Sequence, residues 1–221
     1  MGNTATRDAD AVRYIVLRKL ASGLRHTLMG ELQSVQFLAE LGARHMDNGA
    51  EASRTRECIG KISLATGEAI ATCHSVIAWL RPDEGATTSL GEAVEQCVKL
   101  AGDDWRMRAT QATVEMPGPA GEAEVSKAAA QELIVTSLLA LTDQHPGSLD
   151  IAVVAALAGD RVDLRLRALA SKRAAPLPAS IIYHALGWED VAMLAAAHGV
   201  LCECEGDVAT LRFGVLPPAP R

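Results

Sequence analysis

The sequence predicts an α+β chain: a long antiparallel helical hairpin followed by an α/β sandwich. Three observations lead there. Apolar residues recur at three-to-four-residue spacing through two long stretches joined by the turn Asp47-Asn48-Gly49. A polar linker, Asp83-Glu84-Gly85-Ala86-Thr87-Thr88, then interrupts the pattern. Beyond it, period-two alternation broken by Gly-Asp turns is interleaved with shorter helical runs. A helical layer on a mostly antiparallel sheet suits that second half.

The composition fits. The chain has 221 residues and a net charge of −6, with 49% apolar but only 3% aromatic residues. Alanine and leucine make up the difference, so helices should dominate. The length suits one large or two small domains. The acidic balance argues against nucleic-acid binding. No apolar run approaches the roughly 18 residues that span a bilayer, and MGNTATRDADAV has no secretory core. A soluble, cytoplasmic protein with no membrane partner is expected. Five cysteines, Cys58, Cys73, Cys97, Cys202 and Cys204, read as reduced thiols. Cys202-x-Cys204 is half of a metal site without its other half, so no metal is expected.

Residues 1–8 are polar and expected as a disordered tail. The first helix runs from a cap at Asp8 or Asp10 to about Met46, and the second from about Glu51 to Leu80, stopped by Arg81-Pro82. Together they make a hairpin over 9–83. Each arm carries one apolar stripe: Leu24, Leu28, Leu32, Val35, Leu38 and Gly42 on the first, Ile59, Ile62, Ala69, Ile70, Cys73, Ile77 and Leu80 on the second. Two helices alone cannot bury both stripes, so a homodimer forming a four-helix bundle is expected. The second domain, 88–217, opens with the capping box Ser89-x-x-Glu92 and a helix to about Arg108. A strand at Ala112–Met116, closed by Pro117-Gly118-Pro119, and a helix at Glu124–Thr142 follow. Strands at Ser148–Leu157 and Arg161–Leu169 form a hairpin about Gly159-Asp160. Ala179–Leu186 reads as a short helix and Glu189–His198 as a longer one stopped by Gly199. A last hairpin, Val200–Glu205 with Val208–Val215, precedes a tail at 218–221.

Within the first helix, His26 lies about 200° from Leu24 and so points away from the apolar stripe. Ser22, Met29, Gly30 and Gln33 share its outer face, and Ser22 and Gly30 are small residues one turn to either side. Lys19 lies two turns earlier on the same face, with Arg18 and Arg25 at its margins. The result is an exposed imidazole with open flanks in a basic patch.

These residues carry a resemblance. The whole order resembles the catalytic core of a sensor histidine kinase, a dimerisation hairpin followed by an ATPase-like domain. His26-Thr-Leu-Met-Gly-Glu-Leu32 is similar to the family's phosphoacceptor box, histidine–acid–Leu–x–x–Pro–Leu. Trp79-Leu-Arg-Pro-Asp-Glu-Gly85 resembles the end of the second hairpin helix, and Thr88–Pro117 the first helix and strand of the ATPase domain. Gly159-Asp-Arg-Val-Asp-Leu-Arg-Leu166 resembles its central strand, and Ala197-His-Gly199 with the terminal hairpin its close.

The departures are informative. Val135 and Leu139 stand where the resemblance implies the asparagines that hold magnesium and phosphates. The strand that would lead to the adenine-reading aspartate ends Arg167-Ala168-Leu169-Ala170. Only Leu186-Gly187-Trp188 remains of the glycine-rich lid. Apolar side chains cannot coordinate Mg²⁺, which takes oxygen ligands. The family's general base directly follows the histidine, and here that position is Thr27, which cannot serve. Glu31 replaces the box's proline. A degenerate histidine-kinase-type ATPase sandwich with no cofactor of its own is therefore expected.

His26 remains chemically competent, since histidine titrates near neutrality and an imidazole nitrogen can carry a phosphoryl group. The resemblance implies a phosphorelay histidine phosphotransferase, akin to the dimeric phosphotransferases of this family. His26 would be the phosphoacceptor, with Arg18, Lys19, Ser22, Arg25, Met29, Gly30 and Gln33 docking the partner. The partners would be response-regulator receiver domains, alone or within a hybrid histidine kinase, and Mg²⁺ would come only with the receiver. The other reading is a non-catalytic pseudo-histidine-kinase dimer that binds and regulates a kinase or response regulator. His45 reads as a helix C-terminal charge, His74 as an accessory residue and His198 as a cap. Asp103-Asp104 read as a solvated pair, and Trp79, Trp105 and Trp188 as core or interface anchors.

Overall fold

The computed structural model describes residues 2–48, 52–80, 85–145, 147–171 and 184–217. Contacts divide the chain into two compact units, Ala21–Arg81 and a second made of Met1–Leu20 with Pro82–Arg221. The architecture is α+β, a helical hairpin followed by a mixed-sheet α/β domain. Among the described residues, no helix is long and apolar enough to cross a membrane.

The hairpin unit is built from the later part of α1 (Gly2–Asp47) and from α2 (Ala52–Leu80). Its antiparallel register is fixed at two levels. Glu31 Oε1 accepts from the Thr72 hydroxyl at 3.3 Å. Near the turn, the His45 Nδ1 lies 3.9 Å from the Cys58 Sγ. There the helices approach closely because Gly42 has no side chain, and a Cβ on it would stand 3.5 Å from the Cβ of Cys58. Gly42, Cys58 and Ala69 are buried between the arms. The outer parts of both apolar stripes stay open: Leu32 on α1 and Ile59, Ile70 and Ile77 on α2 are each about half exposed or more.

The second unit holds a five-stranded sheet in the order β2-β4-β5-β7-β6. Its strands are β2 (Gln111–Glu115), β4 (Leu149–Ala158), β5 (Arg161–Ala170), β6 (Leu201–Glu205) and β7 (Val208–Gly214). Only the β2–β4 pairing is parallel. Helices α3 (Leu90–Arg108), α5 (Lys127–Gln144) and α6 (Trp188–His198) complete the layer. Period-two burial gives the core: Ile151, Val153 and Ala155 from β4, Val162, Leu164 and Leu166 from β5, and Ala209, Leu211 and Phe213 from β7. Gly159 and Gly206, both at positive φ, turn the two hairpins. Gly199 ends α6 in the left-handed region, its N–H reaching back to the Ala195 and Ala196 carbonyls.

Two short features escape the hydrophobic pattern. Strands β1 (Thr87–Ser89) and β3 (Glu124–Ser126) form a separate antiparallel ladder, and α4 (Gly118–Gly121) is a single turn after Pro117. Three- and four-residue elements are too short to show periodicity. β3 also shifts the next helix: α5 begins at Lys127, capped by the Ser126 hydroxyl, which accepts from the Ala129 N–H. Half of the capping box expected at Ser89 is present, the Glu92 N–H donating to the Ser89 Oγ at 3.3 Å; the Glu92 carboxylate accepts from the Thr88 hydroxyl and the Gln96 amide instead. Of the short helix expected over 179–186, residues 179–183 lie outside the described residues, and Leu186 is not helical. The tail expected at 218–221 also lies outside them.

The beginning of the chain differs from the sequence reading. Residues 2–8, expected as a disordered tail, are helical. The first twenty residues, expected mostly in the hairpin, belong to the second unit. Asp10 does not cap; it lies inside α1 and pairs with Arg13 at 2.8 Å. The reason is a second apolar stripe, Ala9, Val12, Val16 and Leu20, all buried. Ion pairs hold this stretch beside helix α5, whose residues from Ala129 to Thr142 are buried apart from Gln131. Two buried acids on one face of α5 take their counter-charges from α1. Arg13 Nε lies 2.9 and 3.0 Å from the two Glu132 carboxylate oxygens, and Lys19 Nζ lies 2.7 Å from Asp143 Oδ2. Asp143 also accepts from the Leu186 N–H at 2.8 Å.

Removing one partner of a buried pair strands the other charge, which costs more than the pair itself contributes. Lys19→Ala should therefore destabilise the second unit by about 3 kcal/mol, with Lys19→Arg much milder. Urea denaturation of the two variants checks this.

Candidate functional site

The candidate site is the outer face of α1 within the hairpin. Helical periodicity turns Leu24 and Leu28 toward α2, where both are half-buried, and leaves His26 exposed. No described side chain hydrogen-bonds to His26. Arg25, Met29, Gly30 and Gln33 are exposed around it. Nothing lies within 4 Å of where a Cβ on Gly30 would stand, so the space one turn beyond His26 is open. Glu31 is turned about 140° round the helix from His26 and is committed to Thr72. Thr27, directly after the histidine, is half-buried and is no proton acceptor.

The docking residues separate into two groups. Arg25, Met29, Gly30 and Gln33 share the hairpin unit with His26. Arg18 is exposed, but it and Lys19 belong to the second unit. Lys19 is corrected from the sequence reading: its ammonium is not a free docking charge but the counter-ion of Asp143, and its side chain is 18% exposed. The side chain of Ser22 lies outside the described residues. Sequence reasoning missed Phe37, which is 64% exposed. Eleven residues after His26, it falls within about 20° of the same face. The signal was available in the spacing His26, Gly30, Gln33, Phe37 (i, i+4, i+7, i+11).

The positions that the resemblance connects with nucleotide are of another kind. Val135 and Leu139 on α5 and Ala168 on β5 are all buried. Leu139 lies on the face of α5 that carries Glu132 and Asp143, the face to which α1 is pinned. Glu132 is enclosed, held by Arg13 and by His198 Nε2 at 2.8 Å. The side chains of Val135, Leu139 and Ala168 all offer only carbon where Mg-ATP would need oxygen ligands, and the nearby acids are already paired. The stretch Leu186-Gly187-Trp188 is held by local bonds. The Gly187 N–H donates to Asp190 Oδ2 at 2.9 Å to start α6, and the Trp188 indole donates to the Gly206 carbonyl at 3.0 Å. Among the described residues, no three His, Cys, Asp or Glu side chains gather as a metal set.

The remaining histidines and tryptophans have local roles. His45 lies in the last turn of α1, as its charge suggested, against Cys58. His74 is exposed on α2. His198 is not the cap of α6, which is Gly199, but the partner of Glu132. Trp105 is buried in the core and Trp188 half-buried. The side chains of Trp79, Asp103 and Asp104 lie outside the described residues.

No family model matches the chain, and no curated protein does. Solved structures do. A histidine kinase of Acinetobacter baumannii, AdeS, is 8% identical, with 84% of this chain and 97% of that one covered and a TM-score of 0.42. A bacterial phosphotransferase is 14% identical, over 93% of this chain and 95% of that one, with a TM-score of 0.40. The histidine kinase ThkA, solved in complex with the response regulator protein TrrA, is 12% identical, over 92% of this chain and 62% of that one, with a TM-score of 0.43.

Proposed function

We propose that this chain is a phosphorelay histidine phosphotransferase, working as a homodimer and without ATP. The observation that carries the reading is His26: an exposed imidazole on a hairpin helix, with open space beside it at Gly30 and an exposed aromatic further along the same face. The box from His26 to Leu32 resembles the phosphoacceptor box of sensor histidine kinases.

The chemistry asks little of the protein beyond position. An unprotonated imidazole nitrogen of His26 attacks the phosphorus of an aspartyl phosphate in line with the departing carboxylate oxygen. An N–P bond forms as the acyl O–P bond breaks, and the aspartate is released ionised. Transfer to a second receiver runs the same step in reverse. The receiver supplies Mg²⁺ and its acidic pocket, and Arg25 beside His26 favours approach of that negative surface. Autophosphorylation from ATP is not part of this reading, because Val135 and Leu139 are buried carbon and Thr27 cannot activate the histidine.

The dimer follows from the open ridges. Leu32 and Met46 fall within about 40° on α1, and Ile59, Ile70 and Ile77 within about 20° on α2, all exposed. Rotation reverses in sense between antiparallel helices, so both ridges fall on the same flank of the hairpin. A second copy laid on that flank closes a four-helix bundle. His26 lies well round α1 from this flank and stays uncovered.

Three results are expected. His26→Ala should abolish acid-labile labelling of this chain by a phosphorylated receiver, while thermal unfolding shifts by less than about 0.5 kcal/mol, as for an exposed side chain. Labelling that survives the change would place the acceptor elsewhere, and a wild-type chain that no receiver labels would favour the binding-only dimer. Gly30→Leu should slow transfer with folding intact, measured as the initial rate of phosphate loss from the receiver. Ile70→Glu should turn a sedimenting dimer into a folded monomer, since Ile70 is 53% exposed in the single chain.

A further inference from the structure

The proposed function leaves Cys202 and Cys204 unused. They are alternate residues of β6, so their side chains lie on one face of the strand. Their sulfurs are 3.2 Å apart. The register places them opposite Leu211 and Ala209 of β7, both core residues, so the pair faces inward. Even so, each cysteine is only half-buried. Among the described residues, β6 is the last strand of the sheet, and no described strand pairs with its other edge.

We propose that Cys202 and Cys204 form a reversible dithiol–disulfide site that exchanges with small disulfides of the glutathione class. The Cys202 thiolate attacks one sulfur of the small disulfide, forms a mixed disulfide and expels one small thiolate. Cys204 then loses its proton to solvent and attacks the Cys202 sulfur, expelling the second. Two protein thiols are oxidised, and one small disulfide is reduced to two thiols.

Two physical arguments fix the direction and the reversibility. The hydrogen bond between the thiols stabilises a thiolate on Cys202, lowering its pKa, and raises that of Cys204. The direction of these shifts favours Cys202 as the attacking sulfur and Cys204 as the resolving one. Alternate residues of a strand are about 6.6 Å apart at Cα, near the upper limit for a disulfide. The bridge would be strained, and strained disulfides are readily reduced. Cys97 is the internal contrast: it is fully enclosed, and burial pushes its thiol up to about 12.

The test exposes the full-length chain to oxidised glutathione, quenches with acid, alkylates under denaturing conditions and reads the peptide carrying both cysteines by mass spectrometry. The expected result is loss of two hydrogens from that peptide and of both its alkylatable thiols, with Cys97 still fully alkylated. Dithiothreitol should restore both. Cys204→Ser should stop at a glutathione adduct on Cys202, and Cys202→Ser should abolish bridge formation, with circular dichroism verifying the fold of each variant. The proposal is overturned if both wild-type thiols stay free while exposed Cys73 becomes modified. It is equally overturned if the Cys204→Ser protein takes up glutathione no faster at Cys202 than at Cys97.

Discussion

Everything in the second unit depends on one helix having no outside. α5 is enclosed by the sheet, by its neighbouring helices and by the first turns of α1, yet it carries two carboxylates into that enclosure. An unpaired carboxylate there would cost several kcal/mol. Glu132 and Asp143 therefore require Arg13 and Lys19, and these requirements hold the start of α1 against a domain that begins some sixty residues later in the chain. Glu132 also collects His198, so one side chain ties α1, α5 and α6 together. Fixed charges set the register where apolar packing alone would allow sliding.

That clasp marks the limit of what the sequence could tell. Elements with several periods of pattern were legible. The two hairpin helices, the Gly159 and Gly206 turns, the stop at Gly199 and the cap at Ser89 all stand close to where residue chemistry places them. β1, β3 and α4 were not legible, because a strand of three residues has no period. The start of α1 was misread for a different reason. Asp8 and Asp10 are good capping residues, but the helix continues before them because its stripe at Ala9, Val12, Val16 and Leu20 is buried and its Arg13 and Lys19 have non-local partners in α5. Lys19 was misplaced by the same ignorance: helical phase puts it on the face of His26, and only the tertiary fold shows Asp143 at the end of its side chain.

The exposure of His26 and its neighbours was easier to read, because exposure is a local property of an amphipathic helix. Once Leu24 and Leu28 face inward, His26, Gly30 and Gln33 must face out, whatever the rest of the chain does. Phe37 obeys the same rule and was missed only because an aromatic in a helix is usually read as core. The open apolar flank and the histidine face occupy different sectors of α1, so the proposed assembly and the proposed phosphoryl exchange need not compete for surface.

The burial of α5 also bears on how this chain can change over time. A carboxamide introduced at Val135 or Leu139 would enter an apolar interior, at a cost of about 1–3 kcal/mol if left without a hydrogen-bonding partner. Such a change becomes tolerable only if the cover over that face loosens as well, which in turn exposes Glu132 and Asp143 and removes the need for Arg13 and Lys19. The residues of α1 and α5 are thus locked into a common drift. Single replacements on either side should be purged, and paired or apolar ones should pass. Divergence should accumulate elsewhere, on the exposed face of the sheet around Arg165 and Arg167.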